Sequence, residues 1–192
     1  IFMTNEIKNI FFVVTIFGVI ILNTGCVNNY LDKRVTVVYG KRNSHDLTYE
    51  LMHPKISNGT GIVFIVSGSW RSNPDDFKPI YGKSFLKRGY TLFAVSHLSQ
   101  PDATIPQIYE DVIIAVKHIR TNAKDYGVSP DQLGVSGASA GGHLALMLAT
   151  KGKQITGKPS GLFRAAAVFF PVTDLLNLGD SSENLDDGGP PK

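Results

Sequence analysis

Apolar and polar positions along the chain fall into short blocks with two different periods. Val35 to Tyr39 is β-branched, and Leu47 to Met52 alternates apolar with polar, the pattern of a half-buried strand stopped by Pro54. Gly61 to Val66 and Tyr90 to Val95 are continuous apolar runs, as in parallel strands buried on both faces. Between and after them the spacing changes. Asn73-Pro74 predicts the start of a helix reaching about Arg88, and Pro106 starts another that runs to about Asp125 and ends at Gly127. In that second helix Ile108, Val112, Ala115, Val116 and Ile119 make one apolar face. Leu133 to Ser136 reads as a strand, His143 to Thr150 as a helix and Phe163 to Phe170 as another strand. Strands alternating with helices predict an α/β fold with a mainly parallel central sheet, and an antiparallel pair, residues 35–52, at its edge.

The first block differs from the rest. Lys8 precedes a mostly apolar run from Ile10 to Leu22, too short for a comfortable bilayer span and of the right length for a secretion signal. Asn23-Thr24-Gly25-Cys26 follows, small residues before the only cysteine, and resembles a bacterial lipoprotein cleavage site. Residues 1–26 are therefore expected to be a signal peptide, with Cys26 as the lipidation site and a membrane attachment point. Residues 27–34 are expected to be a polar linker, and residues 35–192 the folded domain.

Composition narrows the class. The chain has 192 residues and a net charge of +3 spread along its length, so nothing points to nucleic acid. One cysteine excludes an intrachain disulfide framework. The five histidines form no cluster with metal-ligand spacing, and no metal or cofactor is expected.

The chemistry concentrates at Gly137-Ala138-Ser139-Ala140-Gly141, a Gly-x-Ser-x-Gly sequence between a predicted strand and a predicted helix. A serine at the tip of so sharp a turn sits in a strained backbone conformation, and small neighbours let strand and helix approach. The helix N-terminus behind it favours developing negative charge, and the Ala140 N–H is one expected oxyanion donor.

Three motifs in order resemble the lipase/esterase branch of the α/β-hydrolases, which includes acetyl-xylan and feruloyl esterase-like proteins. They are Val66-Ser67-Gly68-Ser69-Trp70, Asp111 in the long helix, and Gly137 to Leu144. The resemblance covers roughly residues 35–174. It implies Ser139 as nucleophile, Ala140 beside it in the oxyanion hole, and Gly68, Ser69 and Trp70 in the loop supplying the remaining donors. Relatives often have His-Gly-Gly in that loop; here Ser67 replaces the histidine and Ser69 the second glycine.

The family order is Ser, then Asp or Glu, then His. The only histidine after Ser139 is His143, one helical turn along, and it reads as a packing residue under the turn. His97, just past a predicted strand end, is placed at the site mouth. Asp174 resembles the aspartate closing a Pro-x-Thr-Asp turn in relatives. The strands that normally carry the triad acid and histidine are missing, so the sequence reads as an N-terminal part of such a hydrolase. The expected function is an exported serine hydrolase cleaving a small-molecule or polysaccharide-borne carboxylic ester. The competing expectations are a non-catalytic binding protein on a degenerate scaffold and a peptidase like the prolyl oligopeptidases.

Overall fold

The structure is a computed structural model describing residues 30–156 and 161–175. The expected signal, Cys26 and the acidic residues beyond 175 lie outside them. Among the described residues six strands form one sheet: β1 (Leu31–Arg42), β2 (His45–Pro54), β3 (Gly61–Ile65), β4 (Thr91–Val95), β5 (Leu133–Ala138) and β6 (Ala165–Phe169). Their order is β1-β2-β4-β3-β5-β6. β1 and β2 pair antiparallel, as do β2 and β4, whereas β4, β3, β5 and β6 run parallel. The antiparallel pair stands at the edge, as the alternation of Leu47 to Met52 predicts.

Among the described residues three α-helices cover the sheet: α1 (Lys83–Leu86), α2 (Ile105–Thr121) and α3 (Ala140–Thr156). Strand alternation sorts the core into two layers. Val63, Ile65, Phe93 and Val95 face α2 and α3, packing on Ile108, Val112, Leu144 and Leu148. Ile62, Leu92 and Ala94 face the other way, onto Leu86 of α1, Phe77 and Tyr30. This second layer thins out toward β6. There an apolar groove lies over Ile62, Phe85, Val135, Ala165, Ala167 and Phe169, and Phe170 is 77% exposed.

Two local expectations are corrected. The linker expected at 27–34 is already sheet from Leu31, because Lys33 and Arg34 pair with His53 and Met52 of β2. The helix expected from Asn73 to Arg88 is broken. It begins as a 3-10 turn, Pro74–Asp76, and only Lys83–Leu86 is α-helical. Pro79 disfavours helical backbone at Lys78 before it, and Gly82 gives little helix propensity where the turn would continue. The elements that carry the site agree closely with the periodicity. α2 opens on a capping box between Thr104 and Gln107, and the 3-10 turn after it ends at Gly127, with φ 68°.

Candidate active site

The site lies where β3, β4 and β5 end on the same edge of the sheet, the position at which open α/β sheets bind ligands. β5 delivers Ala138, and Ser139 turns the chain into α3. Ser139 has φ 52°, left-handed backbone that a serine adopts only when its surroundings impose it. Three contacts impose it. The Ser139 N–H donates to the Phe169 carbonyl at 3.1 Å, fastening the turn to the end of β6. The Gly141 N–H donates to the Ser67 carbonyl at 3.1 Å, fastening it to the loop after β3. The His143 N–H closes the first turn of α3 on the Ser139 carbonyl at 3.0 Å.

The glycines are there for close approach. A Cβ on Gly137 would strike the Gly141 carbonyl, and a Cβ on Gly141 would strike the Ile65 carbonyl. A Cβ on Gly142 would press on Pro171. Strand and helix therefore meet backbone to backbone, with Ser139 half-buried at the tip. Ala140 is the first residue of the 17-residue α3, so its N–H has no intrahelical acceptor and points with the positive end of the helix dipole.

The loop after β3 folds into a tight hairpin. Gly68 and Arg71 exchange two backbone hydrogen bonds, at 2.9 and 2.8 Å, around Ser69 and Trp70. Ser69 and Trp70 both have positive φ, 48° and 56°, the signature of a primed turn that usually takes Asn or Gly. The expected role of Gly68 is corrected here. Its N–H is spent on the Arg71 carbonyl, and nothing lies within 4 Å of where its Cβ would stand. Among the described residues the N–H groups of Ser67, Ser69 and Trp70 have no acceptor, and a Cβ on Gly141 would lie 3.4 Å from the Ser67 nitrogen. The Ser67 N–H is thus as free to donate as those of Ser69 and Trp70. Ser69 and Arg71 also line a cleft shared with Gln100 and Pro101.

The Trp70 side chain turns inward, 3% exposed, and meets the His143 ring edge-on at 6.1 Å. His143 directs Nδ1 at the Val172 carbonyl, 2.8 Å away, and is 9% exposed. The packing role expected of it fits this geometry. His97, expected at the mouth, is instead buried, 5% exposed, with Nδ1 against the Leu98 carbonyl at 2.8 Å. Burial pushes its pKa below the ordinary histidine value, against the opposing pull of the Leu98 carbonyl and the Asp111 charge. Neither imidazole ring is hydrogen-bonded to the Ser139 side chain. Of the others, the His45 ring lies 2.9 Å from the Asn43 carbonyl, and His118 lies 3.1 Å from the Tyr49 hydroxyl. Among the described residues no group of three or more His, Cys, Asp or Glu is placed to hold a metal.

Parallel strands flanked by helices, with a strained serine on a strand-to-helix turn between paired glycines, define an α/β-hydrolase. The sequence profile of the BD-FAE family matches residues 50–188, and the chain belongs to that family of α/β-hydrolase esterases. Among curated relatives, it is 26% identical to the esterase LipQ of Mycobacterium tuberculosis over 81% of this chain and 39% of that one. It is 30% identical to an acetylxylan esterase of Xylanibacter ruminicola over 50% of this chain and 20% of that one. Among solved structures, esterase 2 of Thermogutta terrifontis superimposes with a TM-score of 0.62 at 27% identity, over 76% of this chain and 59% of that one. A bacterial heroin esterase shares the fold, with a TM-score of 0.66 at 17% identity over 84% of this chain and 50% of that one. The chain thus spans about two-fifths of the LipQ length and about three-fifths of the Thermogutta esterase.

Proposed function

We propose that the chain carries the nucleophilic half of a serine esterase that hydrolyses carboxylic esters of short acyl chains. The observation that carries this reading is the left-handed Ser139 at the head of α3, held between glycines that have no room for a side chain. In the reaction, Ser139 Oγ attacks the ester carbonyl carbon as a general base takes its proton. The carbonyl oxygen becomes an oxyanion facing the Ala140 N–H and the unpaired N–H groups of the 67–70 loop, which are preorganised for it. Collapse expels the alkoxide with a proton and leaves an acyl-serine. Water then attacks that ester, releasing the acid and returning the proton to Ser139.

The relatives support the substrate class. Structures of the Thermogutta esterase are described with propionate and butyrate bound, and others as phosphorylated by paraoxon or phosphonylated by sarin. The acetylxylan esterase among the relatives supports an acetyl ester carried on a polysaccharide. Export, with attachment through lipidated Cys26, rests on the sequence of residues 1–26. The test is covalent labelling with a fluorophosphonate, in which the serine oxygen displaces fluoride from phosphorus. We expect labelling and 4-nitrophenyl acetate hydrolysis by the intact natural protein, both abolished by Ser139→Ala. A folded protein that neither labels nor hydrolyses would favour a binding role instead. Hydrolysis of a prolyl peptide in preference to the ester would favour the peptidase.

A further inference from the structure

Asp111, in the middle of α2, is fully buried. A carboxylate in that position is stable only if its oxygens are engaged. One oxygen takes the Arg42 guanidinium at 2.6 Å, and the other accepts the Leu98 backbone N–H at 3.3 Å. Arg42 ends β1, on the far edge of the sheet, and also reaches Glu110 at 3.1 Å. Leu98 belongs to the loop after β4. A second tie reaches the same loop from β1, because the pairing of β1 with β2 steps over Tyr39, whose hydroxyl donates to the Ser96 carbonyl at 2.6 Å.

The loop after β4 in turn grips the loop after β3. The Gln100 N–H donates to the Trp70 carbonyl at 3.1 Å. The Ser72 N–H donates to Ser99 Oγ at 2.9 Å, and that hydroxyl donates to the Ser72 carbonyl at 3.2 Å. The Ser67 carbonyl then accepts from Gly141 beside the nucleophile. Neither loop belongs to a helix or to one of the six strands, so these bonds, together with the Gly68–Arg71 pair, hold the segment that carries the free N–H groups of Ser67, Ser69 and Trp70.

We infer that Asp111, through Leu98 and then Ser99, is a positioning residue for the oxyanion donors. The inference rests on the esterase reading of Ser139. Donors of this kind act on charge that exists only in the transition state, so misaiming them lowers kcat and leaves KM alone. Removing a single donor outright costs about a hundredfold or more; a loosened loop is expected to cost about tenfold.

The experiment measures kcat and KM for 4-nitrophenyl acetate in the intact natural protein and in Asp111→Asn, Ser99→Ala and Ser99→Thr. Ser99→Ala removes the hydroxyl bonds between the two loops and leaves the Gln100–Trp70 backbone bond and the buried pair intact, so it tests the Ser99 link if Asp111→Asn does not fold. The expected result is kcat about tenfold lower in Ser99→Ala, with KM within about twofold, and recovery in Ser99→Thr, which restores the hydroxyl. A folded Asp111→Asn is expected to match Ser99→Ala. Unchanged kcat in Ser99→Ala, whatever happens to KM or the melting midpoint, overturns the inference. Fluorophosphonate labelling of the wild-type protein separates the two levels. Absence of labelling overturns the esterase reading and this inference with it; labelling with unchanged variants overturns the inference alone.

Discussion

Three glycines near the nucleophile look equivalent in the sequence and are not. Gly137 and Gly141 stand where a methyl group would collide with backbone, which cannot swing aside. Gly137→Ala and Gly141→Ala are each expected to destabilise the fold by roughly 1–3 kcal/mol or more, read from urea unfolding, and to lose serine labelling in whatever folds. Gly68 has open space at its Cβ position, so Gly68→Ala should change stability by no more than about 0.5 kcal/mol. The strained turn at Ser139 was legible because its motif constrains the backbone on both sides. The donor loop was less legible, since Ser67, Ser69 and Trp70 would act through N–H groups that every residue carries. Their directions depend on partners such as Gln100 and Ser99, some 30 positions away in sequence.

At the level of elements, local signals served where they were strong. α2 shows a one-sided apolar stripe, a proline in its first turn and a capping box, and its start was read within one residue. The box gives a prediction. Thr104→Ala removes the side-chain acceptor of the Gln107 N–H and should cost about 1 kcal/mol, seen as a lower urea midpoint with unchanged slope. The Asn73–Arg88 stretch has a good helix opening and apolar residues at Phe77, Tyr81 and Phe85, but Pro79 and Gly82 interrupt it. It packs through Phe77 and Leu86 onto the sheet instead of extending as one helix. β1 was read short at its start because Asp32, Lys33 and Arg34 are polar. On an edge strand exposed to water that is no obstacle to pairing, and Arg34 meets the buried Glu50 of β2 at 2.6 Å.

For the molecule as a whole, the buried histidine links stability to pH. His97 is held below its ordinary pKa by burial, and His53 is lowered too, by burial and then by nearby Lys33. As the pH falls below about 6.5, the unfolded chain takes up protons at these positions while the folded chain does not. The native state therefore loses stability from about pH 6.5 downward, until the pH passes the folded values and the loss levels off. Urea midpoints at neutral and mildly acidic pH should show the decline, and His97→Asn should reduce it. If the slope is the same with and without His97, another group is responsible. The sequence could not show this, because a histidine just past a strand end reads as a residue at the site mouth, and its burial follows from how the loop after β4 is packed.

The bond from Ser139 to Phe169 also bears on when the turn at Ser139 takes its shape. Its strained backbone depends on an acceptor encoded 30 residues later. A chain emerging from the ribosome presents the Gly-x-Ser-x-Gly sequence well before β6 exists to pair with β5. Until then the serine belongs to ordinary flexible coil, with no fixed aim and no aligned donors. The order of synthesis thus delays the strained geometry of Ser139 until β6 pairs with β5.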